Sequence, residues 1–201
     1  MVVSATRKAV FLDRDGTLVH PAPYPSRPDQ LRLFDGVGPA LRRLRARGFL
    51  LIVVTNQSGV ARGFFDRAVL DDLHAHLRWM LDREGVVLDA IYDCPHHPSV
   101  AMASGPDPCS CRKPRPGMLV QAAADFGLDL GRSWMVGDAV SDVEAGRNAG
   151  CFTVLLRGDD GSAASSRGAT LIHANIVAAL EAVATWRESA RDAATTVGAP
   201  R

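Results

Sequence analysis

The chain has 201 residues, 47% of them hydrophobic, and its 23 basic and 22 acidic side chains leave a net charge of +1. That length suits one domain with a real core, and the balanced charge argues against general attraction to nucleic acid or an acidic membrane. No run approaches the ~20 apolar residues of a membrane helix, and the run Ala9–Leu12 after Arg7 and Lys8 is too short for a secretory signal, so a cytoplasmic protein is expected.

Ala9–Leu12 reads as a strand. Gly36–Arg47 reads as a helix, with Val37, Leu41 and Leu44 on one face, Arg42, Arg43 and Arg45 turned away, and Gly48 placed to end it. Phe49–Val54 is apolar and rich in branched residues, as in a strand buried on both faces. Arg67–Asp82 repeats the helical spacing, and Leu88–Tyr92 is a third strand candidate. Cys94–Lys113 is a proline-rich loop, followed by a helix over Pro116–Phe126. Trp134–Val136 is a short strand, Ser141–Asn148 a helix closed by Gly150, Phe152–Leu156 and Thr170–Ile172 strands, and Asn175–Trp186 a last helix. Gly158–Gly168 reads as a mobile loop and 188–201 as a disordered tail. The alternation predicts an α/β fold: a Rossmann-like three-layer sandwich with a central parallel sheet, one domain over 1–187 and no large cap domain.

The chemistry is concentrated in Phe11-Leu12-Asp13-Arg14-Asp15-Gly16-Thr17. In open α/β sheets ligands bind beyond the carboxyl ends of strands, which is where Asp13 and Asp15 fall. One such carboxylate can attack phosphorus while the other protonates the leaving oxygen and later deprotonates water. A D-x-D pair alone reads more simply as a turn cap, but three further signals accompany it. Thr55-Asn56-Gln57-Ser58-Gly59 follows the second strand, with a hydroxyl and backbone N–H groups suited to phosphate oxygens. Arg112-Lys113-Pro114 places two cations ahead of a helix, where Lys113 could neutralise nucleophile and phosphate. Asp138, after Val136-Gly137, could complete an oxygen site for Mg²⁺. Asp142 reads either as a group orienting Lys113 or as a first-turn helix charge.

Cys94-Pro95-His96 and Cys109-Ser110-Cys111 bring three thiols and an imidazole into the proline-rich loop, which has little to bury. Three Cys and one His form a common closed structural zinc set. Cys151 reads as core and His97 as a solvent-facing neighbour.

The stretches FLDRDGTL, VVTNQSGVARG, CPHHP, CSCRKPRPGM and MVGDAVSD resemble the haloacid dehalogenase superfamily of phosphotransferases, in its order and over nearly the whole chain. Within it they look like the branch holding heptose-bisphosphate and histidinol-phosphate phosphatases. The resemblance implies Asp13 as nucleophile and Mg²⁺ ligand, and Asp15 as general acid and base that also binds Mg²⁺ through its carbonyl. It further implies Asp138 as the remaining Mg²⁺ ligand, and Thr55 and Lys113 as the groups steadying the phosphoryl. Arg112 contacts substrate in this reading, and Cys94, His96, Cys109 and Cys111 hold a structural Zn²⁺.

A small sugar phosphate is the expected partner, heptose 1,7-bisphosphate first and histidinol phosphate second, with no nucleic acid, no membrane and a monomeric protein. Without a cap, specificity falls to the loops 18–30, 57–65 and 94–112. Asn56 is expected at the substrate. Arg62 and Arg112 could hold a second, non-reacting phosphate, though Arg62 reads equally as a surface residue. Members of the branch often carry Asn two residues after Thr17, where this chain has Val19, and the loop His20–Pro25 that follows suggests a stiff substrate wall. A catalytically silent sugar-phosphate module is the alternative from another class, and the full set of acidic and basic site residues argues against it.

Overall fold

A computed structural model describes residues 7–99, 109–157 and 168–186. The tail 188–201, nearly all of the loop 158–168 and the middle of the metal loop lie outside the described residues. Six strands form one sheet: β1 (Lys8–Leu12), β2 (Phe49–Asn56), β3 (Ala90–Cys94), β4 (Trp134–Gly137), β5 (Phe152–Leu156) and β6 (Leu171–His173). All neighbours pair in parallel, in the order β3-β2-β1-β4-β5-β6. The helices are α1 (Val37–Ala46), α2 (Arg67–Arg83), α3 (Gly117–Phe126), α4 (Val140–Asn148) and α5 (Ile176–Thr185).

Strand alternation builds the three layers. Val10, Leu12, Leu51, Val53, Trp134 and Val136 pack with Leu41, Leu44, Leu73, Leu77 and Leu180, so α1, α2 and α5 cover one face. Ala9, Phe11, Ile52, Val54 and Met135 pack with Met118, Leu119, Ala122 and Ala145, so α3 and α4 cover the other. Both faces being covered explains the near-continuous apolar strands.

Strand order reverses beside β1, whose neighbours are β2 and β4. Such a switch point opens a crevice beyond the strand ends. Asp13 leaves β1 there, tied to β4 by its N–H on Val136 O at 3.0 Å.

Two expectations change. The third strand begins two residues later than its hydrophobicity predicts, because β2 pairs Ile52 with Ala90 and Asn56 with Cys94. Val86 and Leu88 are buried in the approach to it instead, and Asp89 turns back to accept from Leu51 N (2.8 Å) and Arg45 Nη1 (2.7 Å). Cys94 therefore ends a strand rather than starting a loop. Val19, which stands where the branch often has Asn and falls within the expected specificity loop 18–30, is wholly buried in the core. Its backbone closes the turn after β1, donating to Arg14 O and accepting from Gly16 N.

Candidate active site

Lys113 is the centre of the crevice. Its side chain is buried, and its Nζ lies 2.7 Å from Asp13 Oδ1, 2.6 Å from Asp142 Oδ1 and 2.9 Å from Val54 O. Burial alone would discharge the ammonium, but Asp13 and Asp142 outweigh that and raise its pKa. Asp142 is 1% exposed, and its other oxygen accepts from Ala139 N at 3.0 Å, capping α4. It thus both orients Lys113 and closes the helix start.

Carboxylate oxygens of Asp13, Asp138 and Asp142 all lie within 4.8 Å of one another. One ammonium does not balance three carboxylates. Burial, opposed by Lys113, pushes the Asp13 carboxyl up to about 7, with the Asp142 and Asp138 charges adding to it. Asp138 is pushed up to about 6 by desolvation and then by Asp142, although its side chain reaches solvent. This crowding of oxygen donors fits a hard divalent cation such as Mg²⁺.

Asp15 is half-buried beside them. Its Oδ2 accepts from Arg14 Nε (3.1 Å), Arg14 Nη2 (2.9 Å) and Gln57 Nε2 (2.8 Å). The same Gln57 amide donates to Thr55 Oγ1 at 2.8 Å. Asn56, expected at the substrate, is bonded to the residue at the centre of the crevice. Its amide closes on the Lys113 backbone, accepting from Lys113 N at 3.1 Å and donating to Lys113 O at 3.2 Å.

The second cluster adjoins the first. Cys94, His96, Cys109 and Cys111 have their ligand atoms within 4.8 Å of one another. Cys94 Sγ lies 3.6 Å from Cys109 Sγ and 3.1 Å from Cys111 Sγ, and Cys111 Sγ lies 3.3 Å from His96 Nδ1. Metal–sulfur bonds of about 2.3 Å in a tetrahedron set sulfurs roughly 3.8 Å apart, close to this spacing. Burial raises the Cys94 thiol, with Cys111 adding to it. At Cys109 burial also acts upward, but the Arg112 backbone N–H and the neighbouring cluster groups outweigh it and bring the thiol down to about 7. The donor set and its spacing fit a structural zinc. Arg112 Nη1 donates to His96 O at 3.0 Å, which couples the cluster to the cations of the crevice.

A family model described as "HAD-hyrolase-like" matches residues 110–182. The D-glycero-beta-D-manno-heptose-1,7-bisphosphate 7-phosphatase of Haemophilus ducreyi is 46% identical over 151 residues, covering 75% of this chain and 82% of that protein. The enzyme of the same name from Pasteurella multocida is 48% identical over 150 residues, covering 75% and 81%. The chain belongs to the HAD-like hydrolase family. Its fold also matches the D,D-heptose 1,7-bisphosphate phosphatase of B. bronchiseptica, solved with magnesium and phosphate. The TM-score is 0.75 and the identity 33%, over 87% of this chain and 96% of that one.

The HAD-like phosphatase is thus a phosphoric monoester hydrolase, and its fold draws together most residues that the motifs single out. Asp13, Lys113 and Asp138 meet at the switch point, with Asp15 and Thr55 joined beside them through Gln57. Arg62 is exposed and contacts His97, Nη2 to Nε2 at 2.5 Å, so His97 is not simply solvent-facing. Desolvation and then the Arg62 and Arg112 charges lower the His97 pKa. Arg62 contacts the ring itself, whereas Arg112 bonds the carbonyl of the neighbouring His96. Arg14 and Gln57, buried and bonded to Asp15, were not singled out by sequence. A cation between the two aspartates was the available signal for Arg14.

Proposed function

We propose that this enzyme removes the C7 phosphate of D,D-heptose 1,7-bisphosphate, leaving heptose 1-phosphate. The observation that carries the chemistry is Lys113 pinned between Asp13 and Asp142 in the crevice beyond β1 and β4. The substrate reading is supported by relatives of that name at 46% and 48% identity, and by Arg62 on the His97 ring and Arg112 on the His96 carbonyl, two adjacent cations that would receive the second phosphate.

Asp13 attacks phosphorus in line, and the bond to the departing C7 oxygen breaks as Asp15 protonates that oxygen. Lys113 and Thr55 hold the phosphoryl oxygens. Asp15, now a carboxylate, takes a proton from water, which attacks the aspartyl-phosphate and frees Asp13 and inorganic phosphate. Mg²⁺, held by Asp13, Asp138 and the Asp15 carbonyl, would neutralise charge on the transferring group. The zinc cluster would order the loop that delivers Arg112 and Lys113. We read the protein further as a cytoplasmic monomer, since unbridged cysteines suit a reducing compartment; light scattering in solution should give a mass near 21.5 kDa.

The test is a phosphate-release panel with Mg²⁺, comparing both anomers of heptose 1,7-bisphosphate with histidinol phosphate and hexose phosphates. The heptose bisphosphate should show the highest kcat/KM. A preference for histidinol phosphate would overturn the substrate assignment, and silence toward every ester would overturn the phosphatase reading.

A further inference from the structure

Arg14 is a long cation with no measurable exposure, buried at the turn that leaves β1. An unpaired charge there would be strongly destabilising. Among the described residues its ion pair is with Asp15, made through both Nε and Nη2 to the single oxygen Oδ2. Gln57, also buried, adds a third N–H to that oxygen. Asp15 Oδ1 is buried and accepts no hydrogen bond. The two oxygens of one carboxylate are therefore unequal. Oδ2 is filled by groups that only donate, while Oδ1 keeps its lone pairs.

We propose that Arg14 and Gln57 are positioning residues that clamp Asp15 by Oδ2 and reserve Oδ1 for the leaving oxygen and then for water. This rests on the reading of Asp13 as nucleophile and Asp15 as its proton-transfer partner. The clamp is anchored at both ends. Arg14 is fixed by its turn, where its carbonyl accepts from Leu18 N and Val19 N. Gln57 is fixed by its own N–H on Cys94 O at 2.7 Å and by its amide on Thr55 Oγ1. Gln57 thus joins the proton-transfer carboxylate, a phosphoryl-binding hydroxyl and the backbone of the first cysteine of the metal loop. The burial of Val19 acquires a function here, since Val19 holds the turn that holds Arg14.

A clamp that serves proton transfer has a signature that mere structural support lacks. Alcohol leaving groups need the proton, whereas a dinitrophenolate leaves without it. The experiment compares wild type, Arg14→Met and Gln57→Leu with Mg²⁺ on heptose 1,7-bisphosphate and on 2,4-dinitrophenyl phosphate, following the first turnover by stopped flow. In both variants the sugar ester should slow by about 100-fold or more, while first-turnover release of dinitrophenolate changes by less than about threefold. Later turnovers of the aryl ester should then stall after a burst of about one equivalent, because water is no longer deprotonated. Equal losses on both esters would overturn the proposal. Gln57→Leu keeps the buried cation paired, so its two rates decide the matter even where Arg14→Met is unfolded by circular dichroism. A wild-type enzyme that cleaves neither ester would overturn the phosphatase reading instead.

Discussion

Gly16 has φ +79°, and a Cβ there would sit 2.1 Å from Asp138 Oδ2. The residue that turns the chain after Asp15 is also the one that lets a carboxylate from β4 approach it. Gly16→Ala should push Asp138 aside and leave the rest of the sheet intact. The Mg²⁺ concentration giving half-maximal activity should rise about tenfold or more, as measured by titration with the metal. An unchanged titration would place Asp138 outside the metal site. Lys113→Met leaves Asp13 and Asp142 facing each other without their cation. Activity should fall by at least about 10²-fold, and denaturant unfolding should show a loss of about 3–5 kcal/mol. At this scale the sequence shows which residue types carry the chemistry but not where their side chains point. Asp13, Asp138 and Lys113 were legible because their chemistry needs strand ends and a cation. The Asn56 amide and the Gln57 bridge depend on partners 57 and 42 residues away, which no local pattern encodes, whereas the Arg14 pair is with its neighbour Asp15 and had a local signal.

At the scale of elements, the metal loop is suspended between two ordered anchors. Cys94 closes β3 in register with Asn56, and Gly117 opens α3 against Ser110, whose carbonyl a Cβ at Gly117 would meet at 2.3 Å. Between these anchors the Cys/His cluster takes the place of an apolar core. Cys109→Ser should bind less than one equivalent of zinc by atomic absorption. Its activity should fall roughly tenfold, because Arg112 and Lys113 lose their fixed approach. Full activity in a zinc-free variant would uncouple the cluster from catalysis. Most helices and strands were legible from apolar spacing and from Gly or Pro at their ends. The third strand was misplaced by two residues because Val86 and Leu88 are buried without being in the sheet. Hydrophobicity reports burial, while strand limits follow from pairing with β2.

At the scale of the whole molecule, burial on both faces of the sheet sets the stability and its pH dependence. His74 on α2 is buried, and burial, helped by the Arg14 charge, lowers its pKa from 6.5 to about 4. The folded state therefore holds it neutral where the unfolded chain is protonated. The stability this contributes is complete above pH 6.5 and is lost progressively toward pH 4, an effect of at most about 3 kcal/mol. Asp13 and Asp138, with raised pKa values, act in the opposite sense over the same range, so the readout is the variant against wild type. In urea titrations, the stability of His74→Leu relative to wild type should rise by up to about 2 kcal/mol between pH 7.5 and pH 5.0; an unchanged difference would mean that His74 titrates normally in the fold. The parallel sheet was legible from the βα alternation. The crossover that sets β4 beside β1, and so brings Asp138 to Asp13, becomes visible only in three dimensions.

The central claim is that the phosphoryl group passes through Asp13. Quenching a rapid reaction with Mg²⁺ and substrate, reducing with borohydride and sequencing the peptide by mass spectrometry addresses it directly, because an acyl phosphate reduces to the alcohol. Homoserine should appear at position 13, dependent on substrate and on Mg²⁺. Steady phosphate release with an unmodified Asp13, or with the label on another residue, would contradict it.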